Sequence, residues 1–267
     1  MKDRFSDASK YAKTIYAVIS IFVFLCLWQM IVSFTSIGII MAGPVTVLGA
    51  FFRGIVEPIG KYTIIWHILW SLSRVMVGFA LGAISGVAIG VLMGWYKSVE
   101  AFVRPLFEVI RPIPAIAWIP LSIVWFGLGE SAKYFLIFLS AFSGVTMNAF
   151  AGARSVDPML VGAAKMLGAD DRQVFTTIVL PACVPHIFAG LQIGIGAAWA
   201  TVVAAEMVRS AEGVGWVIIK GQESYTSVQI MVGIVGVGVI GFILANIMRW
   251  VEAKLCGWRE RGKLATK

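Results

Sequence analysis

The sequence predicts an all-α polytopic membrane protein with six transmembrane helices. Three observations carry that prediction. Hydrophobic residues make up 59% of the chain and charged residues 13%, where a soluble domain carries about 25% charged residues. Apolar runs of membrane-crossing length recur along the chain, and the mean hydropathy is +0.89. Lysines and arginines collect in alternate loops, the pattern that sets topology in a bilayer. A length of 267 residues suits one membrane domain over 1–267, with its core at about 62–250 and no large soluble module.

The first span is about Ile15–Phe34, roughly 20 residues and long enough to cross. The stretch Met1–Lys13 ahead of it mimics a signal peptide, but no small-residue cleavage site follows the apolar run, so a retained helix is expected. The second span is about Val77–Trp95, preceded by a helical approach from Tyr62 that carries His67, Ser71 and Arg74. Because Tyr62–Tyr96 is too long for one crossing, the approach is expected to lie at the interface and feed the span. The third span, about Leu106–Leu128, contains Pro112, Pro114 and Pro120. The fourth is about Tyr134–Ala151, the fifth about Cys183–Ala205 and the sixth about Val228–Met248.

With both termini cytoplasmic, sixteen basic residues face inside, among them Lys97, Arg104, Arg111, Arg154, Lys165 and Arg172. Five face outside: Arg53, Lys61, Lys133, Arg209 and Lys220. The imbalance sets the orientation and explains the net charge of +8 as topology rather than nucleic-acid binding. Cys26, Cys183 and Cys256 are scattered and show no metal-ligand spacing, so neither a metal site nor a disulfide is expected.

Two spans carry more than hydrophobicity. Gly78, Gly82, Gly86, Gly90 and Gly94 recur at every fourth position, a ladder that lets two helix backbones approach closely in lipid. The expected partner is a helix of the same subunit, with a sliding or dimer interface as the alternative. In the third span each proline removes a backbone donor and crowds the preceding turn, so a bent or partly unwound helix is expected. Such backbone is tolerated at membrane depth only beside protein or a water-filled cavity. Pro112, Pro114 and Trp118 are therefore candidates for lining a pathway, against the alternative of a structural bend.

A polar island between the fourth and fifth spans carries punctuation for two short helices. Asp157 is placed as an N-cap with Pro158 at the first helical position. Gly168 supplies a left-handed stop. Asp170 opens the second helix, Gln173 follows at capping-box spacing, and Pro181 is expected to end it. The orientation places this elbow in the cytoplasm, where a defined helical elbow serves to meet a partner.

The run Gly162-Ala163-Ala164, Gly168, Ile178 and Leu180-Pro181 resembles the loop signature of ATP-binding-cassette (ABC) importer permeases. Gly162 stands where that signature has Glu. Longer motifs narrow the resemblance to the permeases for nitrate, taurine and alkanesulfonates. They are Arg111 to Glu130, ending Trp125-Phe126-Gly127-Leu128-Gly129-Glu130, and Trp199 to Met207 followed by Gly213-Val214-Gly215-Trp216. His67 through Ser71, Ser73-Arg74 and Gly78-Phe79 belong with them, and the similarity runs from about Trp66 to Arg259.

The resemblance implies a type I importer permease fold in the bacterial cytoplasmic (inner) membrane. It implies a second permease copy, most simply an identical one, and an extracytoplasmic substrate-binding protein. It also implies two cytoplasmic ABC ATPase subunits, which bind the ATP and Mg, while this chain holds no cofactor. The ATPase-coupling segment would be about 157–181. Its contact residues would be Pro158, Met159, Leu160, Gly162, Ala163 and Ala164, then Met166, Leu167, Gly168, Ala169 and Asp170. Trp199, Thr201 and Glu206 join the pathway-lining candidates beside the proline-rich segment. The expected solute is a small anion, a sulfonate such as taurine being favoured. Nitrate, bicarbonate and a heterocyclic or aromatic nutrient are the alternatives.

The rival function classes are weaker. No phosphate-binding loop occurs, since Gly60-Lys61 is followed by Tyr62 and Gly262-Lys263 by Leu264, so this chain is not expected to be an enzyme. His67 and His186 are its two histidines, too few for a zinc-hydrolase helix, and no nucleophile elbow is present. An ion-coupled secondary transporter needs intramembrane carboxylates, and Glu206 is the candidate. Its competing reading is a helix-end pair with Arg209 or Arg74. Arg74 is tempting as an anion site, yet a single interfacial Arg usually snorkels or pairs. His67, Ser71 and Arg74 share one helical face, expected to anchor at the interface.

Overall fold

A computed structural model describes residues 2–208 and 210–255. Arg209, Cys256 and the basic residues from Arg259 onward lie outside the described residues, as do the side chains of Lys2, Arg4, Lys10 and Lys13. In chain order the helices are α1 Lys2–Phe34, α2 Pro44–Arg53, α3 Ile64–Trp95, α4 Lys97–Ile110, α5 Ile119–Phe126 and α6 Glu130–Arg154. Then follow α7 Pro158–Met166, α8 Asp171–Val174, α9 Leu180–Val208, α10 Val214–Glu223 and α11 Ser227–Leu255. The described residues form two compact units, one of those up to Ile65 with Val217–Gly236, the other of those in Trp66–Trp216 with those from Val237 to Leu255.

Five expected spans fall inside long apolar helices: Ile15–Phe34, Ile64–Trp95, Glu130–Arg154, Asp171–Val208 and Ser227–Leu255. The third is different. It begins at Lys97 rather than Leu106, and α4 meets the segment Ala115–Phe126 at a bend of 82°. The prolines act as expected: α4 stops at Ile110, a 3-10 turn covers Ala115–Trp118, and Pro120 sits in the first turn of α5. The stretch Ser36–Arg53 is also apolar enough for a crossing. Its helical part α2 is, however, about 15 Å long against a hydrocarbon core of about 30 Å.

Two expectations need correction. The approach segment is not a separate interfacial helix, because α3 runs unbroken from Ile64 to Trp95, about 48 Å of helix at 1.5 Å per residue. Nor does Pro181 end the helix that begins at Asp171. The residues Phe175–Val179 form a π-helical turn in which Leu180 N–H reaches back to the Phe175 carbonyl, and α9 continues from there. A proline inside a regular helix clashes with the carbonyl four residues back, and the wider turn makes room for it.

In the first unit, the spanning part of α1 is unburied within the chain, as a lipid-facing helix would be. The end of α10 and the start of α11 form a tight hairpin, with Tyr225 at φ 53 and Thr226 N–H bonded to the Gly221 carbonyl.

The second unit is organised around α6, which lies between α3 and α9. A Cβ placed on Gly78 would fall 2.6 Å from Ile137 Cβ, one on Gly82 2.8 Å from the Phe138 carbonyl, and one on Gly90 2.7 Å from Ala149 Cβ. The glycine ladder is thus a packing seam within the subunit. Its counterparts on α6, including Ile137, Ala141, Val145, Ala149 and Ala153, also recur every four residues. A repeat longer than 3.6 residues drifts in the right-handed sense, so matched stripes stay in register only if the helices wrap that way. On the other side of α6, a Cβ on Gly194 of α9 would come 2.9 Å from Val145 Cγ2.

Candidate functional site

Three features of the second unit bear on function. The first is a buried charge hub. His67, Ser71 and Arg74 share the face of α3 as the spacing predicts, but that face is enclosed, not interfacial: all three are fully buried. Arg74 Nε and Nη2 clasp Glu130 at 2.6 and 2.9 Å. Nη1 donates to Glu206 at 2.7 Å and to the Glu212 carbonyl at 3.0 Å, and Nη2 also reaches the Glu212 carboxylate at 3.2 Å. A guanidinium has five N–H donors, and all five are engaged. Arg74 has none left for a solute.

Glu206 is 1% exposed. Besides Arg74 it accepts from Ser71 Oγ at 2.8 Å and from Gly215 N–H at 3.0 Å. The backbone entering α10 folds over it. Gly213 N–H donates to His67 Nδ1 at 3.1 Å and Val214 N–H to Ser71 Oγ at 2.9 Å, while the His67 ring stacks on Trp216 with centroids 5.0 Å apart. The first N–H groups of a helix have no partner in their own helix. Here α3 and α9 satisfy them, with a carboxylate at the positive end of the helix dipole. The Arg74–Glu206 pair is one of the two pairings the sequence suggests for Glu206. Arg209, the other, lies outside the described residues. Glu130 and Glu212 as partners of Arg74 escape sequence reading. The signal for them is physical: a buried Arg needs carboxylates, and Glu130 opens α6 while Glu212 lies in the turn before α10.

The second feature is a cavity of about 620 Å³ between α4 with its proline break and the faces of α6 and α9. Of the pathway candidates, Pro114 and Thr201 line it. Pro112 is exposed at the break. Trp118 stands among Trp125 and Phe135, at centroid distances of 6.4 and 6.5 Å. Trp199 is packed in the core, its indole N–H donating to the Val237 carbonyl at 3.0 Å. Glu206 sits in the charge hub.

The third feature is the elbow, where the expected punctuation appears in full. Asp157 Oδ1 accepts from Met159 N–H at 2.8 Å, and Pro158 opens α7. Gly168 adopts φ +87. Asp170 and Gln173 form a reciprocal capping box, with bonds of 2.6 and 2.9 Å. One face of the elbow packs through Val161, Ala164 and Ala169 onto a core of Val91, Ala149, Val174 and Val179. The other face leaves apolar side chains in the open: Met159, Leu160, Met166 and Leu167, the last 90% exposed. Gly162, Ala163 and Asp170 are exposed as well, and a side chain at 162 would meet nothing within 4 Å.

Comparison with known proteins identifies the family and the fold. Residues 86–255 match the family described as binding-protein-dependent transport system inner membrane component. A probable ABC transporter permease of Brucella abortus (strain 2308) is 37% identical over 223 residues, covering 84% of this chain and 88% of that protein. The taurine transport system permease of Escherichia coli (strain K12) is 35% identical over 192 residues, 72% of this chain and 70% of its own. A nitrate import permease of Leptolyngbya laminosa is 30% identical over 248 residues, 91% of this chain and 88% of its own. Among solved structures, the MetNI methionine ABC transporter in an inward-facing conformation matches with a TM-score of 0.61 at 17% identity, covering 72% of this chain and 95% of that chain. The helix order, the bent third span and these matches agree, and the chain belongs to the binding-protein-dependent transport system inner membrane components, the permease subunits of ABC importers, in the type I fold.

Proposed function

We propose that this chain carries a small anionic solute into the cytoplasm, a sulfonate such as taurine being favoured, by alternating access coupled to a separate ATPase. The observation that carries the coupling is the elbow. It is rigidly capped at both helices, anchored on one face, and open on the other with four large apolar side chains. An exposed apolar patch on a capped element is the mark of a docking surface. Two ATPase subunits, which bind the ATP and Mg, would each receive one elbow from a pair of permease copies, and an extracytoplasmic binding protein would deliver solute. The termini and the elbow would then be cytoplasmic, in keeping with the distribution of basic residues. Ion coupling through Glu206 is the weaker reading, since Arg74, Ser71 and Gly215 already hold that carboxylate.

The test is ATP hydrolysis by the permease reconstituted in lipid with its genomic-neighbour ATPase and binding protein, titrated with taurine, an alkanesulfonate and nitrate. Stimulation by a sulfonate supports the full reading. Stimulation by nitrate alone keeps the importer and replaces the solute. Failure to form a complex with the ATPase overturns the coupling assignment.

A further inference from the structure

The cavity beside the proline break has a composition of its own. Its lining includes one charged side chain, Arg111, and three hydroxyls, Ser140, Ser143 and Thr201, while every other lining residue is apolar. Among the described residues Arg111 has no ion pair or side-chain hydrogen bond, although the nearby Arg104 and Arg154 are both paired with Glu100. The hydroxyls are unengaged in the same way. Further along α6, Thr146 donates to the Phe142 carbonyl and Asn148 to that of Gly144. Ser143 and Thr201 make no such bond among the described residues, while Ser140 Oγ, also without a partner there, is closed off from solvent and so from the cavity. A helical hydroxyl ordinarily turns back to its own helix, so the Ser143 and Thr201 hydroxyls are left free to donate into the cavity.

We infer that this cavity is a solute-contact site on the permease itself, built for a small organic anion with an apolar portion. Arg111 supplies the counter-charge, Ser143 of α6 and Thr201 of α9 supply donors, and walls such as Ile110 and Phe138 take the apolar part. The volume falls in the range of about 300–1,000 Å³ typical of small-ligand pockets. No carboxylate lines it, which disfavours a cation, and a bare inorganic anion would leave its apolar walls unused. The inference rests on the transport reading above and adds to it a selectivity step downstream of any binding protein.

The probe is radiolabelled pentanesulfonate, bound at equilibrium to the full chain in nanodiscs without ATPase or binding protein. The expected result is saturable binding that equimolar nitrate and pentyltrimethylammonium fail to displace. Arg111→Gln should weaken it about tenfold, the worth of a charged hydrogen-bonding partner, and Arg111→Lys should restore most of the loss. Thr201→Val, which keeps shape and removes the hydroxyl, and Ser143→Ala should each weaken it several-fold. Absence of saturable binding, equal displacement by nitrate or by the cation, or indifference to Arg111→Gln would overturn the proposal. Capture of the neighbouring ATPase on the same nanodiscs reports on the transport reading separately: capture without pentanesulfonate binding discards the site alone, and binding without capture discards the coupling alone.

Discussion

Arg74 Nη1 stands 2.7 Å from Glu206 Oε1, with the guanidinium 1% and the carboxylate 0% exposed. The pair ties the middle of α3 to the end of α9, and Glu130 and Glu212 add the start of α6 and the turn before α10. Removing one member of a buried ion pair strands the other and costs about 3–5 kcal/mol. Arg74→Ala should therefore lower the thermal unfolding temperature in detergent more than Glu206→Gln, because the Ala variant strands a fully buried carboxylate. The double variant should be less destabilised than the sum of the two singles. Additive effects in that cycle would show that the two residues act independently.

Packing along the glycine seam gives a second prediction. A methyl group on Gly90 would press on Ala149 Cβ at 2.7 Å and on the Thr146 carbonyl, whereas one on Gly196 in α9 would meet nothing within 4 Å. Gly90→Ala should destabilise by about 1–3 kcal/mol, the usual cost of overpacking. Gly196→Ala should be neutral or stabilising by up to about 1 kcal/mol through helix propensity. Opposite shifts in unfolding temperature are the expected readout.

What could be read in advance divides along a physical line. The caps at Asp157 and Asp170, the stop at Gly168 and the glycine ladder are local signals, because each depends on residues within one or two turns. They appear where the spacing puts them. The charge hub is not local. Glu130, Glu206 and Glu212 reach Arg74 from three separate elements; the pairing with Glu206 can be suggested because both charges fall towards the same end of their spans, but nothing near residue 74 in the chain announces Glu130 or Glu212. The same holds for His67 and Ser71, whose partners are the backbone amides of Gly213 and Val214. Pro181 misleads for a different reason. A proline read alone is a helix stop, but the π turn before it lets the helix continue.

The turn over Glu206 yields a third prediction. Gly213 has φ +113, and a Cβ there would strike the Glu206 carboxylate. Gly213→Ala would impose a backbone region that costs an L-residue about 1–2 kcal/mol, in addition to the collision. The turn should swing away and release the amides of Gly213, Val214 and Gly215 from His67, Ser71 and Glu206. Hydrogen exchange should accelerate at those three amides while the seam between α3 and α6 stays protected. Unchanged exchange there would mean that the cap is not held by these contacts.

The elbow offers the sharpest separation of folding from coupling. Gly168 sits at φ +87, which proline, fixed near −65°, cannot adopt. Gly168→Pro should rebuild the corner between α7 and α8 while leaving the membrane helices in place. Ala164 is partly buried against the core beneath the elbow, so Ala164→Glu would lift α7 off its anchor rather than alter its exposed face. Both variants should insert at normal levels and lose ATPase capture and coupled transport. Gly162→Glu is the informative counterpart. The open space around residue 162 accepts a Glu side chain, so this variant should retain ATPase capture at the unsubstituted level or above. Normal coupled transport by Gly168→Pro would remove the coupling role from this segment. Loss of capture in Gly162→Glu would instead show that the ATPase surface leaves no room for a side chain at residue 162.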